Sequence, residues 1–354
     1  MNSKELEHFN KQYNAIDVTR LFMAICVVAI HTRPLESVTN TVIMSLYNTV
    51  LALAVPFFFM ATGFLLFDNM DDKKSGSTYL RKLKNHGIKL IKAYIMWSII
   101  FLPVSIYGYY YEGESVIKAI FLYIRNLFFQ GEHFYSWHLW YLLSAIYTIG
   151  LIWLLVKKVN GDLRICAAVA IVFFLLAHLL DYSVVRMESL PLVLKKIVKL
   201  YQVTFGRGRM LSGTYLIIFG MLVAKHKKII ARIPSLFLIG GVSVTFIISA
   251  FLNNMFTLLM TIVLLFACIQ KIKIRGNKSI FRYMRRTSTV IYYTHMLFFF
   301  LYSLKQGMQG QFGVEAFVIT VLCTLILAWI TNIKVIGNMR LCKALFGAPV
   351  SMHE

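Results

Sequence analysis

The sequence predicts an all-α fold, a polytopic membrane bundle of about ten spanning helices with both termini on the cytoplasmic side. Three observations predict it. Hydrophobic residues make up 58% of the 354 and charged residues only 15%, with a mean hydropathy of +0.69, beyond the roughly half-apolar usage of soluble domains. The apolar residues gather in runs of about 20, the length that crosses the hydrocarbon core. The net charge of +22, from 37 Lys and Arg against 15 Asp and Glu, falls between those runs, where basic loops set topology and meet anionic headgroups. That placement argues against nucleic acid as a partner.

The runs follow in order from Ile16 to Pro34, Val42 to Phe67, Ile88 to Tyr110, Trp137 to Val156 and Leu163 to Tyr182. Five more run from Met210 to Ala224, Pro234 to Leu252, Met255 to Ile269, Thr287 to Leu304 and Val314 to Ile333. The sixth and eighth are short, which suits a tilted or partly re-entrant segment. With the N-terminus inside, 27 of the 37 basic residues fall on the cytoplasmic side, as the positive-inside rule requires. The exception is LPLVLKKIVKLYQVTF after Tyr182, whose periodicity reads as an amphipathic helix lying in the outer interface. The polar start MNSKELEHFNKQYN, with no small-residue cleavage site after the first run, reads as a retained signal anchor. The expected organisation is a cytoplasmic segment 1–15, one transmembrane domain 16–333 and a cytoplasmic tail 334–354. Five cysteines without metal-ligand spacing read as apolar filler, and no metal is expected.

Ionisable groups inside apolar spans are costly and mark candidate sites. In IDVTRLFMAICVVAIH, eleven residues at about 100° each bring His31 within roughly 20° of Arg20, about 16 Å further along one helix face. Asp17, one turn before Arg20, is placed to hold the guanidinium. Such a pair arises about once by chance in this composition; the depth of His31 is what singles it out, and a satisfied structural histidine is the alternative. His295 falls near mid-membrane and is a candidate to share a polar cavity with His31, or else a hydrogen-bonded core histidine. Lys89 and Lys92, three apart, face one way; they suit an anionic ligand or an ordinary positive-inside flank. Arg207, in the expected outer loop, is a candidate contact for an acidic acceptor. Asp68, Asp71 and Asp72 read as a solvated loop. The chain has no G-x-S-x-G elbow, P-loop, dinucleotide fingerprint or zincin helix.

Five segments carry a family resemblance. Asp17 to His31 fits the D-x-x-R-x10-H first helix of the acyltransferase 3 family of integral membrane acyltransferases, and VPFFFMATGFLL resembles its second span, with Thr62 in place of the usual serine before Gly63. SWHLWYL, IIFGMLVAK around Gly220, and STVIYYTHMLFF with Ser288, Tyr292 and His295 resemble the remaining motifs, in order over nearly the whole chain. HTRPL, AVPFFFMATGF and FGRGRM are similar to the membrane half of vancomycin-resistance serine racemases; the soluble racemase half has no counterpart.

The resemblance implies acyl transfer, usually of acetyl from cytoplasmic acetyl-CoA or another acyl-CoA, to a hydroxyl or amine of an envelope-associated acceptor such as a glycan or lipid-linked precursor, at a bacterial plasma membrane. It implies His31 as general base, with Arg20, Asp17 and His295 in support and Tyr292 and Arg207 at the substrate. Lys89 and Lys92 stand where the family carries R-x-x-R for coenzyme phosphates; lysine keeps the charge but loses the bidentate fork. A transport or substrate-delivery module, for example for serine, and a sensor or scaffold are the competing classes. Homo-oligomerisation is left open.

Overall fold

In the computed structural model, residues 13–68, 76–159, 162–206, 208–252, 254–308 and 311–347 are described. Arg207, Asp71, Asp72 and the far ends of both expected terminal segments lie outside them. No strand occurs among the described residues. The helices are α1 (Asn14–Thr32), α2 (Thr41–Ala52), α3 (Ala54–Phe67), α4 (Gly76–Ile100), α5 (Leu102–Tyr111), α6 (Val116–Arg125), α7 (Trp140–Val159), α8 (Leu163–Val185) and α9 (Leu192–Phe205). Then come α10 (Arg209–Lys225), α11 (Lys227–Arg232), α12 (Ser235–Leu252), α13 (Met255–Lys271), α14 (Lys278–Lys305), α15 (Val314–Asn332), α16 (Lys334–Gly337) and α17 (Arg340–Phe346).

Six segments are long and apolar enough to cross a membrane, seven if the bent pair α4–α5 counts as one, so the protein is a multi-pass membrane protein. Every expected run coincides with helix, yet three stop short of that test. α10 and α13 have 17 residues each. α14 has 28, but arginines, tyrosines, threonines and a histidine dilute its apolarity.

Prolines explain the two breaks. Pro56 has no N–H to give the Ala52 carbonyl, and the second run is interrupted at Leu53 between α2 and α3. Pro103 does the same to the Ile99 carbonyl, and α4 and α5 meet at 48°. Asn40, Asp162, Asn254 and Asn277 cap α2, α8, α13 and α14, each accepting from backbone N–H groups of the first turn.

The chain divides into two compact units, one of residues 1–58 with 226–354 and one of residues 59–225. The first is built on α1, α14 and α15. α1 and α14 run in the same direction: Asn14 Nδ2 donates to the Ile274 carbonyl just before α14, and beyond the far ends the Gly313 N–H donates to the Thr32 carbonyl. α15 returns antiparallel, so the Arg286 guanidinium near the start of α14 reaches the Thr331 carbonyl at the end of α15 at 2.9 Å, where a cation suits the helix dipole.

The unit 59–225 packs α10 against α7 and α8, and α4 against α7. Its two motif glycines are contact points. A Cβ on Gly63 would run into the Ile217 carbonyl oxygen of α10, and one on Gly220 into the Met60 carbonyl oxygen of α3. Backbone therefore meets backbone at both places, the close approach that small residues permit between membrane helices. Gly63→Ala and Gly220→Ala should each force these helices apart and cost at least about 1–3 kcal/mol, read as a lowered Tm in detergent, whereas Gly150→Ala, which meets nothing within 4 Å, should leave Tm unchanged.

Candidate functional site

The packed face of α1 explains where its polar residues go. Leu21, Ala24, Ile25 and Val28 recur at helical spacing, and Ala24, Val28 and Ile291 of α14 form a fully buried cluster with Phe317, Val321 and Leu325 of α15 around it. One turn beyond Val28 along the same stripe is His31. One turn beyond Ile291 is His295. Their rings meet with centroids 5.3 Å apart, tilted by 34°, so the structure brings together the two histidines that the first and last motifs supply.

His295 is 0% exposed. Its Nδ1 is 2.9 Å from both the Ile291 and the Tyr292 carbonyl oxygens. Carbonyls only accept, so Nδ1 carries the proton and the basic lone pair of the neutral ring is on Nε2. His31 is half-buried, as are Arg20 and Tyr292. α1 is unbroken from Asn14 to Thr32, so Arg20 and His31 do share a face. The Tyr292 ring packs edge-on against Tyr293 at 5.0 Å, and its carbonyl helps fix the His295 tautomer.

Asp17 has a different partner from the one expected. Both its oxygens are taken by Arg285 of α14, from Nε and Nη2 at 2.7 Å each, a bidentate pair. The ion pair therefore ties α1 to α14 at the end opposite the histidines, where the expected role was to steady Arg20 within α1. The sequence carries no signal for this, since the partners are 268 positions apart.

Lys89 and Lys92 lie exposed on one face of α4, within the unit 59–225. A cavity of about 480 Å³ borders α1 and α2, lined among others by Ile30, Arg33, Met44, Tyr47 and Leu51. Ile30 and Ala29 face away from the His31 side of the helix, so this cavity lies round α1 from the histidine pair.

A second polar cluster, absent from the sequence reading, occupies the loop before α7. Glu132 pairs with Arg209 at the start of α10, and that guanidinium lies 5.5 Å over the Trp140 ring. Burial pushes the Glu132 carboxyl up against the pull of Arg209, and burial pushes His133 down to about 4. In the sequence only FGRGRM points to it, through Arg207; Arg209, two positions on, makes the contact, while Arg207 lies outside the described residues.

The helices and the ring contact of half-buried His31 with buried His295 define the class: a polytopic membrane protein with two histidines in contact within one of its helical units. A family model described as an acyltransferase domain, that of the acyltransferase 3 family, matches residues 13–333, and the chain belongs to that family of enzymes. It is also similar to an amino-acid racemase of Enterococcus faecalis, 31% identical over 153 residues, which cover 43% of this chain and 20% of that protein. A second amino-acid racemase of that organism is 32% identical over 152 residues, 43% of this chain and 21% of its own. A serine/alanine racemase of Enterococcus gallinarum is 29% identical over 131 residues, 37% and 18% of the two chains. The match thus spans about a fifth of each of these relatives. No solved structure matches.

The Asp17–Arg285 pair is asymmetric, with side chains 3% and 44% exposed. Arg285→Gln strands a buried carboxylate and should cost about 3–5 kcal/mol. Asp17→Asn leaves an arginine that can turn outward and should cost about 1 kcal/mol. Thermal unfolding in detergent checks the order: Arg285→Gln falls further than Asp17→Asn.

Proposed function

We propose that this protein moves an acyl group, acetyl in the first instance, from a cytoplasmic acyl-CoA to a hydroxyl or amine of an envelope-associated acceptor such as a glycan. The observation that carries the reading is the ring contact between His31 and His295, in a chain whose family is one of acyltransferases. Residues 16–333 form the acyltransferase domain, which crosses a bacterial plasma membrane ten times and leaves the segment 1–15 and the tail 334–354 on the cytoplasmic side. The parallel course of α1 and α14 is compatible with that count, in which seven crossings separate them.

In this reading His31 takes the acceptor proton as the oxygen attacks the thioester carbonyl. The carbon–sulfur bond then breaks, and the same proton passes to the leaving coenzyme thiolate. An imidazole suits this exchange near neutral pH. His295, with Nδ1 held by two carbonyls, offers only Nε2 and keeps the neighbouring ring in place. Arg20, on the face of His31 but about 16 Å along it, orients the thioester from the coenzyme side, and Tyr292 and Arg207 contact substrate. Lys89 and Lys92 hold coenzyme phosphates. Asp17 acts at a distance, by fixing α1 on α14 through Arg285.

One observation favours a second reading. The matched relatives are named amino-acid and serine/alanine racemases, which suits delivery of an amino acid such as serine across the bilayer. Proteoliposomes separate the two: acceptor-dependent release of coenzyme A marks acyl transfer, and uptake of radiolabelled serine without any acyl donor marks transport.

His31→Ala should lower acceptor-dependent coenzyme A release by about 10²–10⁴-fold while thermal stabilisation by acetyl-CoA is retained, since a ligand of the folded state stabilises whatever the chemistry. Wild-type turnover by a folded His31→Ala protein would remove the histidine from the mechanism.

A further inference from the structure

Two short helices of the unit 59–225 carry apolar faces that remain exposed. α6 turns Val116, Ile117, Ile120, Phe121 and Ile124 outward, each 51 to 84% exposed, over an arc of about 140°. Lys118 and Arg125 lie at one edge of that arc. α9 turns Val193, Ile197 and Leu200 outward at 57 to 69%. Its buried residue is Val198, and Lys196, Lys199 and Lys195 follow in that order round the helix from the Leu200 edge of that arc. With 10 and 14 residues the two helices measure about 15 and 21 Å, too short to cross a core of about 30 Å.

They are clipped together. The turn Asn126–Gln130 continues α6, its Phe129 ring meets Phe205 of α9 edge-on at 5.5 Å, and Gln130 Nε2 donates to the Val203 carbonyl at 2.8 Å. Two amphipathic helices so joined cannot bury their outer faces on each other.

We propose that α6 and α9 form one platform lying flat in the polar–apolar boundary of a single leaflet, with its cations bound to anionic phospholipid headgroups. The charge pattern chooses the occupant. Glu114 and Glu188 engage Lys118 and Lys195, which leaves Arg125, Lys196 and Lys199 as surplus positive charge bordering apolar surface, the arrangement by which basic side chains reach headgroups while their neighbours enter the acyl region. A second copy of the chain would bring like charges together. The platform leads directly into the Glu132 loop, and so holds the Glu132–Arg209 pair at headgroup level.

The test uses the full chain in nanodiscs of phosphatidylcholine with or without phosphatidylglycerol, and none of its readouts involves acyl transfer. Nitroxide labels are placed at Ile117→Cys, Leu200→Cys and Lys196→Cys after the five native cysteines are replaced by alanine. Labels at 117 and 200 should be rich in oxygen collisions about 5–10 Å below the phosphates, and the label at 196 should meet a water-soluble nickel complex. Lys196→Gln and Lys199→Gln should each reduce retention of phosphatidylglycerol in native mass spectra by up to about fivefold. Hydroxyl-radical footprinting of the unaltered protein serves if the alanine background does not fold; Phe121 and Leu200 should be protected. Nickel access at 117 and 200 equal to that at 196, spin coupling between copies, oxidation of Phe121 and Leu200, or unchanged phosphatidylglycerol retention would overturn the proposal.

Discussion

The candidate site depends on how α1 lies against α14. The stripe through Ala24 and Val28 is small and apolar, so Ile291 can enter it, and the helices close up over their full shared length. Polar pairs close the two ends of the contact. At one end Asp17 and Arg285 complete each other's hydrogen bonds in a fork; at the other His31 and His295 meet ring to ring. Because the helices run in the same direction, the ion pair fixes the register that puts the imidazoles side by side. A slip of one turn, about 5.4 Å, would separate the rings.

The family motifs divide by what they accomplish physically. The first and last supply the histidines. The second span and the F-x-x-G helix supply Gly63 and Gly220, whose absent side chains let α3 and α10 touch backbone to backbone, while the hydroxyls of Thr62 and Tyr141, the latter from the H-L-W-Y-L stretch, lie 3.3 Å apart. Ser288 bonds the Arg285 carbonyl one turn back at 2.7 Å, which accounts for it within its own helix. Two motifs therefore supply the ring pair and the others supply packing.

Helix positions were legible in the sequence because apolar runs of membrane length leave little choice of structure, and even the breaks at Leu53 and Phe101 follow from Pro56 and Pro103. The shared face of Arg20 and His31 was legible for the same reason, helical spacing being fixed. What escaped is what spacing cannot carry. α6 was overlooked because a ten-residue amphipathic stretch resembles a loop beside runs twice its length. The apolar run begins at Thr287, nine residues inside α14, because the first turns of that helix are basic, although Asn277 caps them. Helical spacing points Asp17 to Arg20, whereas its partner comes from the far end of the chain. Glu132 and Arg209 drew no notice for the same reason.

The proposed chemistry has an acyl group change hands at the histidine pair. An electron cryomicroscopy structure with a non-transferable thioether analogue of acetyl-CoA tests this most directly. The acetyl carbonyl should lie beside the His31 ring, with room between them for an acceptor oxygen about 3–3.5 Å from the carbonyl carbon. An acetyl group held away from both His31 and His295 would contradict it.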